Sequence, residues 1–326
     1  MLCLRSKTNN PVFNIATEEY LLKHKDEDCF YLYINNPSII IGKHQNSLAE
    51  INVDYVKENE ITVVRRLSGG GAVFHDPGNL NFSFIKTKEK NEPIDFRKYT
   101  QPILDVLNAL GVDAKFEGRN DLTIKGKKFS GNAKHIYQNK ILQHGTLLFS
   151  SKLPDLSQAL KINPLKYQDK AVKSVRSRVT NISEHLSTHI SLEAFEDHII
   201  NHVRSIYDDT ELYELTETDI AAINQLVDEK YSTWNWNFGS SPKYNFQKGI
   251  KTTGGHIELN LEVRKGEIVN AKIFGDFFNT NDIDELEKLI IGMPHDLGKI
   301  KAQLQQIELG NYLANVTLDE FMEAFV

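Results

Sequence analysis

Only two cysteines, Cys3 and Cys29, occur in 326 residues. There is no Cys-x-x-Cys pair and no His/Cys cluster at ligand spacing, which excludes a disulfide framework and a structural zinc site and makes a reducing cytoplasm the expected location. A basic excess is also missing. Against 38 Lys and Arg stand 44 Asp and Glu, and a net charge of −6 argues against a nucleic-acid binder. No run reaches the ~18 apolar residues needed to cross a bilayer, and the opening MLCLRSKTNN lacks the apolar core of a secretion signal, so no membrane role is expected. Two phosphate-binding patterns are absent as well. The glycines at 69–71 have neither a Gly-Lys-Ser/Thr ending nor Gly-x-Gly-x-x-Gly spacing before a helix, which excludes a Walker loop and a dinucleotide-binding turn.

What is present is an ordinary globular composition, 40% hydrophobic, with room for two domains. Residues 12–24 carry apolar side chains at helical spacing and end in Lys23-His24, where cations suit the helix dipole, so an amphipathic helix is predicted. Residues 30–34 and 38–41 read as strands around Asn35-Asn36-Pro37, and Gly42-Lys43-His44-Gln45-Asn46 reads as a polar loop. A helix is predicted over 99–110 with Gly111 as its stop, strands over 112–116 and 121–124, a turn at Lys125-Gly126-Lys127, a strand over 141–149 and a helix over 191–207. Helices and strands intermingle without a strict βαβ repeat. The expected fold class is therefore α+β, a mixed β-sheet flanked by helices.

Near Trp234 the character changes. WNWNFGSSPKYN, 234–245, reads as an ordered connector, since aromatics would be wasted in a free linker. Beyond it a hairpin is predicted from 256–263 and 268–273 about Arg264-Lys265-Gly266, with helices over 282–291, 297–307 and 318–325. The parse is a domain over 1–245 and a small α+β domain over 246–326.

The stretch VVRRLSGGGAVFHDPGNLNFSFI, 63–85, organises the rest. Val63 and Val64 end one strand, and residues 81–85 alternate like a half-buried strand. Three adjacent glycines between them let a ligand approach main-chain N–H groups, and Arg65-Arg66 makes an anion the natural guest. His75-Asp76 reads as a loop-ordering hydrogen-bonded pair. His75, His135 and His144 are given no catalytic role, because a histidine opening a buried strand is more often a satisfied structural group. Of Lys125, Lys127 and Lys128, the turn chemistry alone selects none.

RRLSGGGAVFHDPGNLNFSF resembles the signature of lipoate–protein ligases, in the wider biotinyl/lipoyl ligase superfamily, and GRNDL (118–122), KFSGNAKH (128–135), HGTLLF (144–149), KSVRSRVTNI (173–182) and WNWNFG (234–239) extend the resemblance along most of the chain. The resemblance implies a class II synthetase-like catalytic domain with a C-terminal accessory domain. It implies an enzyme that activates lipoate with ATP to lipoyl-AMP and transfers the lipoyl group to a lysine of a carrier. The carriers implied are apo lipoyl domains of 2-oxoacid dehydrogenase complexes and the glycine cleavage H protein. Magnesium is expected with ATP, no tightly bound metal is expected, and the chain is expected to be a monomer.

The same resemblance assigns Lys128 as catalytic. It places Arg66, Gly70, Gly71, Ala72, Val73, Phe74, Asn120, Asp121 and Lys128 at ATP or adenylate, with Asp121 on the magnesium side. Lys128, Val73, Phe74, His144 and Gly145 are placed along lipoate. The chemistry agrees: carboxylate attack on a phosphate brings two anions together, so positive charge must be concentrated there, Arg as a planar fork and Lys as a movable point charge. A second step needs no enzyme nucleophile but must exclude water, for which loop 163–182 or the C-terminal domain, swinging about Gly239-Ser240-Ser241-Pro242, is the expected cover. Basic Ser174–Arg178 would suit an acidic carrier surface. Two other readings compete: an ATP-independent lipoyl/octanoyl transferase of the same fold, whose relatives use a catalytic cysteine, and a non-catalytic module that binds lipoate or carriers.

Overall fold

Among the described residues, fourteen strands divide into three sheets. In chain order they are β1 Leu2–Arg5, β2 Cys29–Ile34, β3 Ser38–Ile41, β4 Thr62–Arg65, β5 Val73–His75, β6 Asn79–Thr87, β7 Ala114–Glu117, β8 Asp121–Ile124, β9 Lys127–Tyr137, β10 Lys140–Leu148, β11 Glu211–Leu212, β12 Phe246–Thr252, β13 Gly255–Arg264 and β14 Glu267–Gly275. The computed structural model describes the whole chain except 46, 89–94, 154–157, 161–178, 239–245, 265 and 326, with backbone alone at 48, 49, 53 and 54. The large sheet runs β11-β1-β2-β6-β10-β9-β8-β7. Its β1 pairs are parallel and the others antiparallel, which makes it the mixed sheet expected.

β6 is buried along seven consecutive residues, so it is not the half-buried strand its alternation suggests. Both sheet faces are covered. Helices Arg97–Ala109 and Leu192–Ile206 pack on one face over Phe82, Phe84 and Ile141, and helix Pro11–His24 covers the other over Tyr31, Tyr33 and Leu142. That helix corrects the amphipathic expectation. Asn14, Thr17, Glu18 and Glu19 are as buried as Ile15 and Leu21, because Asn14 and Glu18 turn toward the sheet, against Tyr31 and Tyr33, while helix Glu217–Leu226 and residues Val227–Tyr231 cover another side of the helix. Each buried acid has partners: Glu19 meets Lys23 (2.6 Å), Lys230 (2.7 Å) and Tyr231 (2.5 Å).

The small sheet β4-β3-β5 carries the glycine loop between β4 and β5. The third sheet, β12-β13-β14, has its own core of Ile257, Leu259, Leu261 and Phe277 under helices Ile283–Ile290 and Leu297–Leu304. β12 was not foreseen; only Ile250 on it is buried, so its edge sequence carries no apolar alternation. Among the described residues no helix is long and apolar enough to cross a membrane.

Candidate active site

A cavity of about 140 Å³ lies where the large and small sheets meet. Ile15 comes from helix Pro11–His24, Tyr33 from β2, Ile40 from β3, Val73 and His75 from β5, and Asn81 from β6. Lys128, Gly131, Asn132 and Ala133 come from β9, and His144, Gly145 and Thr146 from β10; Arg66, Gly70, Gly71, Ala72 and Asn120 close the ring. The two ends differ. Ile15, Tyr33, Ile40, His75 and Asn81 are at most 3% exposed, whereas the Lys128 side chain is 42% exposed.

Lys128 is the lysine, of the three, that lines the cavity. The turn Lys125-Gly126 has φ of 51° and 70°, which closes the β8–β9 hairpin, and a register shift beside Thr123 follows at once. Lys128 Nζ meets Asp121 Oδ1 at 2.7 Å, so Asp121 stands at the exposed end. Thr180 N donates to the Lys128 carbonyl (3.0 Å), bringing the end of the expected cover loop to this strand. The remainder of that loop, Ser174–Arg178 included, lies outside the described residues, as does the expected hinge at 239–242. Asn120 is locked against Asn132: its Nδ2 donates to the Asn132 carbonyl (2.5 Å), and its own carbonyl accepts from Asn132 N (3.0 Å) and Nδ2 (3.0 Å).

The two arginines separate in role. Arg66 Nε donates to Ser68 Oγ (3.0 Å), Nη1 to Ile40 O (3.0 Å), and Nη2 to Gly69 O (2.6 Å) and Gly71 O (2.9 Å), leaving one Nη1 hydrogen uncommitted among the described residues. It thus shapes the glycine loop and lines the cavity too. Arg65 faces away, donating to the carbonyls of Gly42, Lys43, Gln45, Trp236 and Asn237 and to Ser47 Oγ. Burial lowers both guanidinium pKa values to about 10, so both remain charged near neutrality. Arg65 is a staple joining loop 42–45 to helix Trp234–Asn237, not a second anion ligand, and the aromatic connector is anchored through it.

Phe74 corrects the expectation for the adenylate and acyl segment. β5 alternates, so Val73 and His75 face the cavity while Phe74 joins Ile39, Ile41 and Val63 in a separate core. His75 and Asp76 are not a pair either: His75 Nδ1 meets Asn35 Nδ2 (3.0 Å), and Asp76 accepts from Gly78 N (2.9 Å) and Lys152 N (2.6 Å). His144 does line the cavity. Its Nδ1 contacts Glu18 Oε2 (2.8 Å) and its Nε2 contacts Ser68 Oγ (2.5 Å), so with the proton on Nδ1 a chain runs from Glu18 through His144 and Ser68 to Arg66. Gly145 is required for space, since a Cβ there would stand 2.3 Å from Asn132 Oδ1. Glu18, Tyr33 and Ile15 were missed because each sits far in sequence from the glycine loop, and Asn81 because within the 63–85 stretch it reads only as a strand position; Tyr33 also donates to Glu18 (3.0 Å).

The C-terminal domain reaches the glycine loop. Gly70, with φ of 88°, donates its N–H to Phe277 O (3.3 Å), and Gly275 N donates to His44 O (2.6 Å). The Arg119 guanidinium lies 4.6 Å from the Phe278 ring centre, and its Nη1 donates to Gly254 O.

Residues 10–204 match the Lipoyl protein ligase A/B catalytic domain, and residues 241–325 match the Bacterial lipoate protein ligase C-terminus. The lipoate-protein ligase LplJ of Bacillus subtilis is 45% identical over 319 residues, covering 97% of this chain and 96% of its own. The crystal structure of P. falciparum LipL1 in complex with lipoate is similar over 99% of this chain and 98% of that one, with 28% identity and a TM-score of 0.81. A lipoate-protein ligase A bound with ATP is similar over 73% of this chain and 98% of its own, with 27% identity and a TM-score of 0.63. With the catalytic and C-terminal models matched in order on one chain, this protein belongs to the lipoate–protein ligases, ATP-dependent enzymes that join lipoate to protein.

Proposed function

We propose that lipoate lies in the cavity with its carboxylate at the Lys128 end and its ring among Ile15, Tyr33, Ile40 and His75. The observation that carries this is the polarity of the cavity, cationic and open at one end, buried and largely apolar at the other. A carboxylate oxygen attacks the α-phosphorus of ATP, the bond to the β-phosphate oxygen breaks, and pyrophosphate leaves. Lys128 exchanges its Asp121 partner for the acyl and phosphate oxygens, where negative charge grows in the transition state. Arg66 offers its remaining Nη1 hydrogen to phosphate and holds Gly69–Gly71 in place. A magnesium ion arriving with ATP would be held on the protein side by Asp121, at the exposed end of the cavity, and would offset the phosphate charge there. Asn120 and Gly71 border the nucleotide.

In the second step a carrier lysine attacks the acyl carbon of lipoyl-AMP, the bond to AMP breaks, and the amine loses a proton. Residues 1–245 form the catalytic unit, and 246–326 the accessory unit, which covers the glycine loop while the adenylate forms and swings aside for the carrier. The carriers are apo lipoyl domains of 2-oxoacid dehydrogenase complexes and the glycine cleavage H protein, met in the cytoplasm by a monomer. A cysteine-dependent transferase is disfavoured, since Cys3 and Cys29 are both buried and burial pushes the Cys29 thiol up to about 12. The test is incubation with ATP, magnesium, lipoate and each apo carrier. A lipoyl mass increase on the carrier that requires ATP supports the reading; an increase without ATP, or none on any carrier, refutes it.

A further inference from the structure

At the buried end of the cavity one polar atom stands out. His75 lines the cavity and is 2% exposed, and its Nε2 is buried with no hydrogen-bond partner among the described residues. Which tautomer it holds can be worked out from its neighbours. Asn14 Oδ1 accepts from the hydroxyls of Tyr31 (2.9 Å) and Ser6 (2.6 Å), and Asn14 Nδ2 donates to the carbonyls of Ile34 (3.1 Å) and Thr8 (3.0 Å). The orientation of Asn14 is thereby fixed, and Nδ2, its two hydrogens shared among three oxygens, faces Asn35 Oδ1 (2.9 Å). Asn35 must then present Nδ2 to His75 Nδ1 (3.0 Å). A donor facing Nδ1 requires a lone pair there, and the proton of a neutral ring sits on Nε2. His75 is neutral: burial, with the charge of Arg66 adding to it, lowers its pKa to about 3. The result is a buried, unpartnered N–H donor in a wall shared with Ile15, Ile40, the Tyr33 ring and Asn81, whose amide is already committed to Asn79 Nδ2 (2.9 Å) and the Tyr33 carbonyl (3.2 Å).

We propose that the His75 Nε2–H is a specificity-determining donor that favours an acyl chain carrying sulfur at its far end, a dithiolane, over an unsubstituted alkyl chain of the same length. The inference rests on the orientation of lipoate given under Proposed function. A hydrocarbon beside Nε2–H leaves a buried donor without an acceptor, an unfavourable state. Sulfur lone pairs accept weakly and, being polarisable, also suit the apolar wall. Octanoate fills the same length but offers no acceptor. Discrimination therefore comes from the penalty on the plain chain rather than from a strong bond to the ring.

The experiment measures kcat/KM for lipoate and for octanoate, by pyrophosphate release, in the wild-type chain, His75→Phe and His75→Gln. The wild-type ratio favours lipoate, and His75→Phe, which removes the donor, lowers that ratio by about tenfold. His75→Gln keeps an N–H donor and retains part of the preference, which a merely space-filling role would not produce. In parallel, 15N chemical shifts of the imidazole in the full chain report Nε2–H with unprotonated Nδ1 at pH 7. A ratio unchanged in both variants, or a ring protonated on Nδ1, overturns the inference. Should the wild-type chain activate neither acid, the ligase reading itself fails; activity on both acids at a ratio insensitive to His75 overturns only the role of this residue.

Discussion

Acidification should weaken this protein through His44, and the size of the effect can be worked from its surroundings. The ring stacks on Phe277 from the C-terminal domain (4.8 Å between centres, 11° between planes), and its Nε2 donates to Asn279 Oδ1 (3.0 Å). Burial pushes its pKa down to about 4; the Asn279 hydrogen bond and Asp282 oppose the shift, while Lys43 and Arg65 add to it. An unfolded histidine titrates near ~6.5. The folded value is the lower one, so the contribution of this group is fully present above ~6.5 and is lost as pH falls from ~6.5 toward ~4. At pH 5 the unfolded ring is almost wholly protonated and the folded ring almost wholly neutral, a difference on the order of 2 kcal/mol. Urea unfolding at pH 7.5 and pH 5.0, read by the fluorescence of Trp234 and Trp236 and by far-UV circular dichroism, should show it. His44→Gln, which keeps a donor for Asn279 without titrating, should lose ~2 kcal/mol less on acidification than the wild-type chain. His75 and His135, both also lowered to about 3 chiefly by burial, titrate in both proteins, so the difference between the two isolates His44. Equal losses in the two proteins would refute the reasoning.

Gly145→Ala should destabilise the chain by ~1–3 kcal/mol and raise the KM for lipoate, because the new methyl meets Asn132 Oδ1 at 2.3 Å and the Phe82 ring at 2.6 Å; thermal melts and pyrophosphate-release kinetics check both halves. Arg65→Lys should cost ~3 kcal/mol or more by leaving buried carbonyls at Gly42, Gln45 and Trp236 without their fork, and denaturant melts that match the wild type would disprove the staple. Arg66→Ala should weaken ATP binding as well as turnover, so an unchanged apparent affinity for ATP would remove its phosphate role. Iodoacetamide applied to the native protein should leave activity intact, since Cys3 and Cys29 are buried and both thiols are raised by burial; inactivation tracking alkylation would reinstate a cysteine mechanism.

Local chemistry made part of the site readable in advance. The Lys125-Gly126 turn and the strand read over 141–149 mark two walls of the cavity, and three adjacent glycines mark its rim. Sequence spacing does not say which of two adjacent arginines turns inward, and only the register of β4 against β3 sends Arg66 to the cavity and Arg65 to the staple. Phe74 was misplaced for the related reason that a motif of consecutive residues, once extended, must split across two faces. Glu18 and Glu19 were the hardest to read. Two acids in the middle of a helix look like a solvated face until distant elements, Tyr231 and Lys230 for one and His144 and Ser83 for the other, close over them. Residue contacts separated by more than a hundred positions, such as Glu18 with His144, leave no periodic trace.

The placement of Lys128 at the mouth of the cavity carries the account, and lipoate-dependent exchange of labelled pyrophosphate into ATP tests it most directly, because that exchange needs the adenylation step alone and no carrier. The wild-type chain should catalyse exchange only when lipoate is present. Lys128→Ala should reduce the rate by on the order of 10²–10³-fold, the effect of deleting one group that stabilises developing charge, with an unchanged thermal melt. Near-normal exchange in folded Lys128→Ala would contradict the account.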